Sequence, residues 1–199
     1  MKKLFLGIMP LLVSAALFAQ DPKYGLKAGL NLSTITNNGS SMKPGVHVGA
    51  IAHIHATPAF SLQPEIYYSN QGAKISLVGS NADSRINLNY INVPILLQYN
   101  FHNGFRLQGG PQIGFLIEAK NKTGNLETNV ASVYKTADFS IPVGLSYLDY
   151  SGFGLDMRYN IGVTNVVKNS STSYRNSVLQ LGVFYLFDHH HKATSSKRR

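Results

Sequence analysis

Residues 153–163 read Phe-Gly-Leu-Asp-Met-Arg-Tyr-Asn-Ile-Gly-Val. Every odd-numbered position is apolar, and every even-numbered one is glycine, an amide or a charge. Period two is the signature of a β-strand with two unlike faces. The same alternation runs through 24–32, 46–54, 60–68, 91–101, 105–118, 139–147 and 179–187. Short connections fall near Thr57-Pro58, at His102-Asn103-Gly104 and over 148–152. Long connections, rich in Asn, Ser, Thr and Gly, cover about 34–44, 72–86, 121–135 and 165–176. The pattern predicts an all-β chain: an eight-stranded antiparallel, up-and-down transmembrane β-barrel with its long loops at one end.

Alternation alone does not say which face points inward, because a soluble lipocalin-like barrel buries its apolar set. Three features favour a membrane barrel. The polar faces carry Gly25, Gly29, Gly49, Gly110, Gly114, Gly144, Gly154, Gly162 and Gly182. Glycine weakens a strand, but the narrow interior of eight strands needs small residues among large ones. Aromatics stand near strand ends on the apolar faces: Tyr24, Phe60, Tyr68, Tyr99, Phe101, Phe105, Tyr147, Phe153 and Phe187. They match the interfacial girdles of outer-membrane barrels. The last strand ends in Tyr185-Leu186-Phe187, which resembles the C-terminal signal read by the outer-membrane assembly machinery, although twelve residues follow. An unpaired sheet edge is costly in hydrocarbon, so the first and last strands must meet. Pro64 and Pro111 lack the N–H of a ladder, and bulges or slack pairing are expected there.

Only 14% of residues are charged, against about 25% in soluble domains. The formal charge of +9 arises largely at the ends, since residues 20–187 hold twelve Lys and Arg against eight Asp and Glu. No clustered basic stripe with stacking aromatics marks a nucleic-acid partner. Cysteine is absent, which removes disulfides, thiolate metal sites and a lipoprotein anchor. Residues 1–19 read as a signal peptide: Lys2 and Lys3 precede an apolar run, with cleavage after Ala19 or near Ser14-Ala15-Ala16. Residues 20–187 form the barrel domain, and 188–199 a basic tail expected to be disordered in the periplasm.

The segments Leu62-Gln63-Pro64-Glu65-Ile66, Tyr90-Ile91-Asn92-Val93-Pro94-Ile95-Leu96-Leu97 and Gly109-Gly110-Pro111-Gln112-Ile113-Gly114, with the early Leu26-Lys27-Ala28-Gly29-Leu30-Asn31, resemble the PorT-like outer-membrane β-barrel family of the Bacteroidota. The resemblance covers nearly all of 20–187. It implies a barrel, and, through the family's namesake, a link to type IX secretion.

The charges expected inside are Lys27, Glu65, Arg106, Glu118, Lys120, Asp138, Asp156 and Arg158. Buried charges must be paired, so a salt-bridge network that plugs the lumen is expected, with Glu65 level with Arg158, and Arg106 lower, beside Asp156 and Lys27. Water-solvated charges in a narrow conduit are the alternative. No catalytic site, cofactor site or metal site is expected. His47, His53 and His55 face inward on the second strand, His102 lies in a short turn, and the long loops hold no histidine to serve a lipid-processing nucleophile. His53 and His55, two apart on one strand face, can share a metal, as can His189-His190-His191, but each signal is weak. The expected role is a monomeric outer-membrane anchor, assembly partner or surface-interaction component, in contact with lipid and with a secretion-system or surface protein. A small porin-like channel and a soluble ligand-binding barrel are the competing readings.

Overall fold

The computed structural model describes residues 22–36, 40–76, 83–124 and 126–187. The expected signal peptide and the tail at 188–199, with its histidine triplet, lie outside the described residues. Ten strand segments follow one another: β1 (Lys23–Ile35), β2 (Lys43–His55), β3 (Phe60–Ser76), β4 (Asp83–Asn100), β5 (Phe105–Gly109), β6 (Gln112–Thr123), β7 (Leu126–Asn129), β8 (Ala137–Leu148), β9 (Phe153–Gly162) and β10 (Asn176–Leu186). All pairings are antiparallel.

The segments make eight staves of one closed ring. β5 and β6 are halves of a single stave, because Leu97↔Gly109 and Pro94↔Gln112 hold one register against β4. The ladder lapses at Gly110-Pro111, where Pro111 has no N–H to give. There Ile95 N donates to the Pro111 carbonyl at 3.0 Å. Pro64 has a similar effect: β2–β3 pairing passes from Ile51↔Glu65 to Ile54↔Leu62, skipping the positions between. β1 closes on β10 from Gly25↔Leu186 to Ile35↔Asn176, and Phe187 N donates to the Tyr24 carbonyl at 2.7 Å. The ring therefore has no open edge in hydrocarbon. β7 stands outside the ring and pairs with β6 alone.

The short turns close where expected. Gly104 and Gly152 adopt φ of 85° and 88°, a region that a Cβ disfavours. Outward aromatics gather at this end as ring pairs, with centroids 5.3 Å apart for Phe60–Tyr99, 4.9 Å for Tyr99–Phe101, 5.2 Å for Phe105–Tyr147 and 5.6 Å for Tyr185–Phe187.

The long-loop end departs from expectation. Strands continue into stretches read as loops: β3 runs to Ser76, β4 starts at Asp83, and β6 reaches Thr123. The reason is a reversal of polarity. Lower on β3 and β4, Leu62, Ile66, Ile95 and Leu97 face outward, and Gln63, Glu65 and Gln98 are buried inside. Higher up, Ala73, Ile86, Leu88 and Tyr90 turn inward and are buried, joined by Ile35, Ala119, Tyr134 and Val166 in one apolar cluster. The outer face there is a polar ladder. Asn70 Nδ2 donates to Asn89, Asn89 Nδ2 to Glu118 Oε2 at 2.8 Å, and Lys120 bridges Glu118 (2.7 Å) and Glu127 (3.2 Å). One barrel thus has an oil-facing exterior below and a water-facing exterior above. The apolar outer runs, such as 60–68, 153–163 and 179–187, span nine to eleven residues, the length a tilted strand needs to cross hydrocarbon.

Inside the lower barrel, large side chains stand opposite glycines. Tyr67 pairs across the ladder with Gly49, His47 with Gly29, Arg158 with Gly144 and Phe184 with Gly154. A Cβ at Gly49 would meet Tyr67 Cβ and Cα and the Ile66 carbonyl. Most of these are backbone or near-backbone atoms that cannot swing aside. Gly49→Val is expected to destabilise the barrel by about 3 kcal/mol, the upper end for overpacking. Urea unfolding in lipid vesicles, followed by tyrosine fluorescence, measures it, and an unchanged midpoint would contradict this account of the glycines.

Candidate functional site

The lumen of the lower barrel is the site with chemistry. Alternation along each strand sends Lys27 of β1, Glu65 of β3, and Asp156 and Arg158 of β9 to the interior, and closure of the ring brings these walls together. The Arg158 guanidinium grips Glu65 with both Nη atoms, at 2.9 and 3.0 Å. It also binds Asp156 through Nε at 3.0 Å and Nη2 at 2.6 Å. Lys27 Nζ lies 3.0 Å from Glu65 Oε2 and 3.9 Å from Asp156 Oδ1. All four side chains are at most 3% exposed. Two cations meet two carboxylates, so the cluster is neutral, and the fork of Arg158 matches carboxylate geometry.

Amides extend the cluster downward. Gln63 donates to Glu65 at 2.8 Å, Gln108 to Asp156 at 2.6 Å, and Gln98 to both Gln63 (3.0 Å) and Gln108 (2.9 Å). Above it, Tyr67 closes the bore. Lys27 Nζ sits 4.9 Å from its ring centroid, a cation–π contact. Its hydroxyl donates to Gln112 at 2.7 Å and reaches Gln180 at 3.4 Å. Asn31 then ties Gln180, Ser69 and His47 together. Higher still, Asn176 donates to Gln71.

The expected charge network is therefore present in four of its members and corrected in the others. Glu118 and Lys120 lie on the outer face. Ile117 is an extra residue in β6, since Tyr90 faces Leu116 while Asn89 faces Glu118. That bulge sends Ile117 and Glu118 to the same side. Arg106 is inside but takes no part in an ion pair among the described residues; it lies nearer the short-turn mouth, where it lines a recess with His55 and His102. Asp138 is buried toward the long-loop end, where it accepts from Thr164 Oγ1 at 2.7 Å. His53 and His55 approach with Nε2 atoms 3.4 Å apart. Among the described residues no cluster of three or more His, Cys, Asp or Glu side chains surrounds a metal position. Tyr185 and Phe187 point outward at the β1–β10 seam. The partners missed in the sequence are Tyr67 and the glutamines. Tyr67 stands opposite Gly49 and Gln108 opposite Gly144; the other glutamines carry only their place on the inward face as a signal.

A closed ring, an apolar belt with an aromatic fringe and a polar packed interior define an integral outer-membrane β-barrel. Residues 18–168 match the family described as outer membrane protein beta-barrel domain, and the chain belongs to that family. None of the curated proteins matches the sequence. Among solved structures, Neisserial surface protein A (NspA) is similar over 84% of this chain and 100% of its own, at 14% identity and a TM-score of 0.58. Ail, the attachment invasion locus protein of Yersinia pestis, solved with the heparin analogue sucrose octasulfate, is similar over 84% of this chain and 99% of its own, at 12% identity and a TM-score of 0.51. These likenesses concern the fold.

Proposed function

We propose that this protein is a closed, monomeric barrel that anchors a surface platform in the outer membrane and does not conduct solutes. The neutral Lys27–Glu65–Asp156–Arg158 cluster carries this reading, because it fills the bore between Gln98 below and Tyr67 above. The proposed orientation sets the long connections outside the cell and both ends of the chain in the periplasm, after removal of the leader at 1–19. The Tyr185–Phe187 end then serves the assembly machinery. The upper barrel favours an interaction role. Its interior is packed with apolar side chains, and β7 holds Leu126 out at 70% exposure. The proposed partner class is a surface or secretion-system protein, in line with the PorT-like resemblance, and the role is non-catalytic.

Planar bilayers test the closed bore. The purified protein is expected to give no steady channels, whereas steady, large conductance would overturn the reading in favour of a porin-like channel. Capture from native membranes under mild detergent is expected to retain a specific protein through the β7 end, lost in Leu126→Asp.

A further inference from the structure

The short-turn mouth holds a cationic recess that the plug leaves unused. We propose that this recess binds a phosphate group. Arg106 is 5% exposed, and its Nη1 is buried without a hydrogen-bond partner. It lines a recess of about 210 Å³ with His55, Asn100, His102 and Asn103. No carboxylate lines that cavity. The plug balances each of its cations with a carboxylate, whereas Arg106 has no counter-charge among the described residues. A buried, unpaired guanidinium is costly, and an oxyanion in the adjoining space removes that cost. A guanidinium fork matches two phosphate oxygens, and the His55 and His102 rings and the two amides offer N–H donors to the others. The same guanidinium shares the recess with His55, and its positive charge opposes a metal cation there. Phe101 and Tyr147 also line the cavity and belong to the aromatic fringe, so the recess lies at headgroup depth. The phosphate can accordingly come from solution or from a lipid headgroup.

The test uses the full chain folded in maltoside micelles, which contain no phosphate. The Arg106 Nε–H resonance is followed by NMR while inorganic phosphate, or separately a short-chain phosphatidylglycerol, is added. A saturable shift with inorganic phosphate supports a soluble ligand, and a shift with the lipid alone supports a headgroup. Arg106→Gln is expected to weaken binding about tenfold or more, from loss of charge-assisted hydrogen bonds, read from the phosphorus line width of the probe. Should that variant not fold, His55→Gln, at an exposed ring, is expected to weaken binding several-fold. Absence of a shift with either probe, or wild-type affinity in a folded Arg106→Gln or His55→Gln variant, overturns the proposal. A conducting lumen would leave this test unaffected.

Discussion

Replacing Glu65 with alanine is expected to destabilise the folded barrel by about 3–5 kcal/mol, the cost of breaking a buried ion pair. Glu65 accepts from both Nη atoms of Arg158, from Lys27 and from Gln63. Its removal leaves two buried cations against Asp156 alone. Urea unfolding in lipid vesicles measures the loss as a fall in midpoint. Lys27→Met added to Glu65→Ala restores neutrality in the cluster, and the pair is expected to recover part of the loss, because contacting residues do not act additively. A folded Glu65→Ala variant with an unchanged midpoint would mean that water already bathes the cations. The closed-bore reading would fail with it.

The second large effect concerns the outer face. Leu181 lies near the middle of the apolar run on β10, paired with Leu30 on one side and Met157 on the other, and all three are outward and exposed. Leu181→Arg is expected to cost about 2–4 kcal/mol in a bilayer, the penalty for a cation near the hydrocarbon midplane. Lys122→Leu makes the opposite change above the polarity reversal, on the exposed face of β6, and is expected to shift stability by no more than about 0.5 kcal/mol. Unfolding of the two variants in phosphatidylcholine vesicles distinguishes the levels. Equal, small effects would contradict the boundary drawn between an oily and a watery exterior.

That boundary also explains where strand ends were and were not legible. Reading for an outward apolar face terminates each strand where the membrane ends, since Asn89, Asn87 and Arg85 of β4 no longer look like oil-facing positions. The alternation continues beyond that point with its sense reversed. Glu118 was misplaced for a related reason: a bulge at Ile117 depends on the partner strand, and nothing within 112–123 announces it. Arg106 was expected beside Asp156, but Asp156 is held by Arg158, which follows it at i+2 on the same face, and by Gln108.

Period two and the placement of glycine determine, within the sequence itself, the strands of the ring, their two faces and six of the eight charges expected inside, all but Glu118 and Lys120. This is so because a strand's side-chain direction is a local property of its pleat. Which inward groups touch was settled by ring closure and by the stagger between strands. Arg158 meets Glu65 from 93 residues away, across a bore whose width and register no single strand encodes. The tertiary structure likewise decided that Arg106 is left without a counter-charge, because pairing depends on the height at which each stave presents its residue.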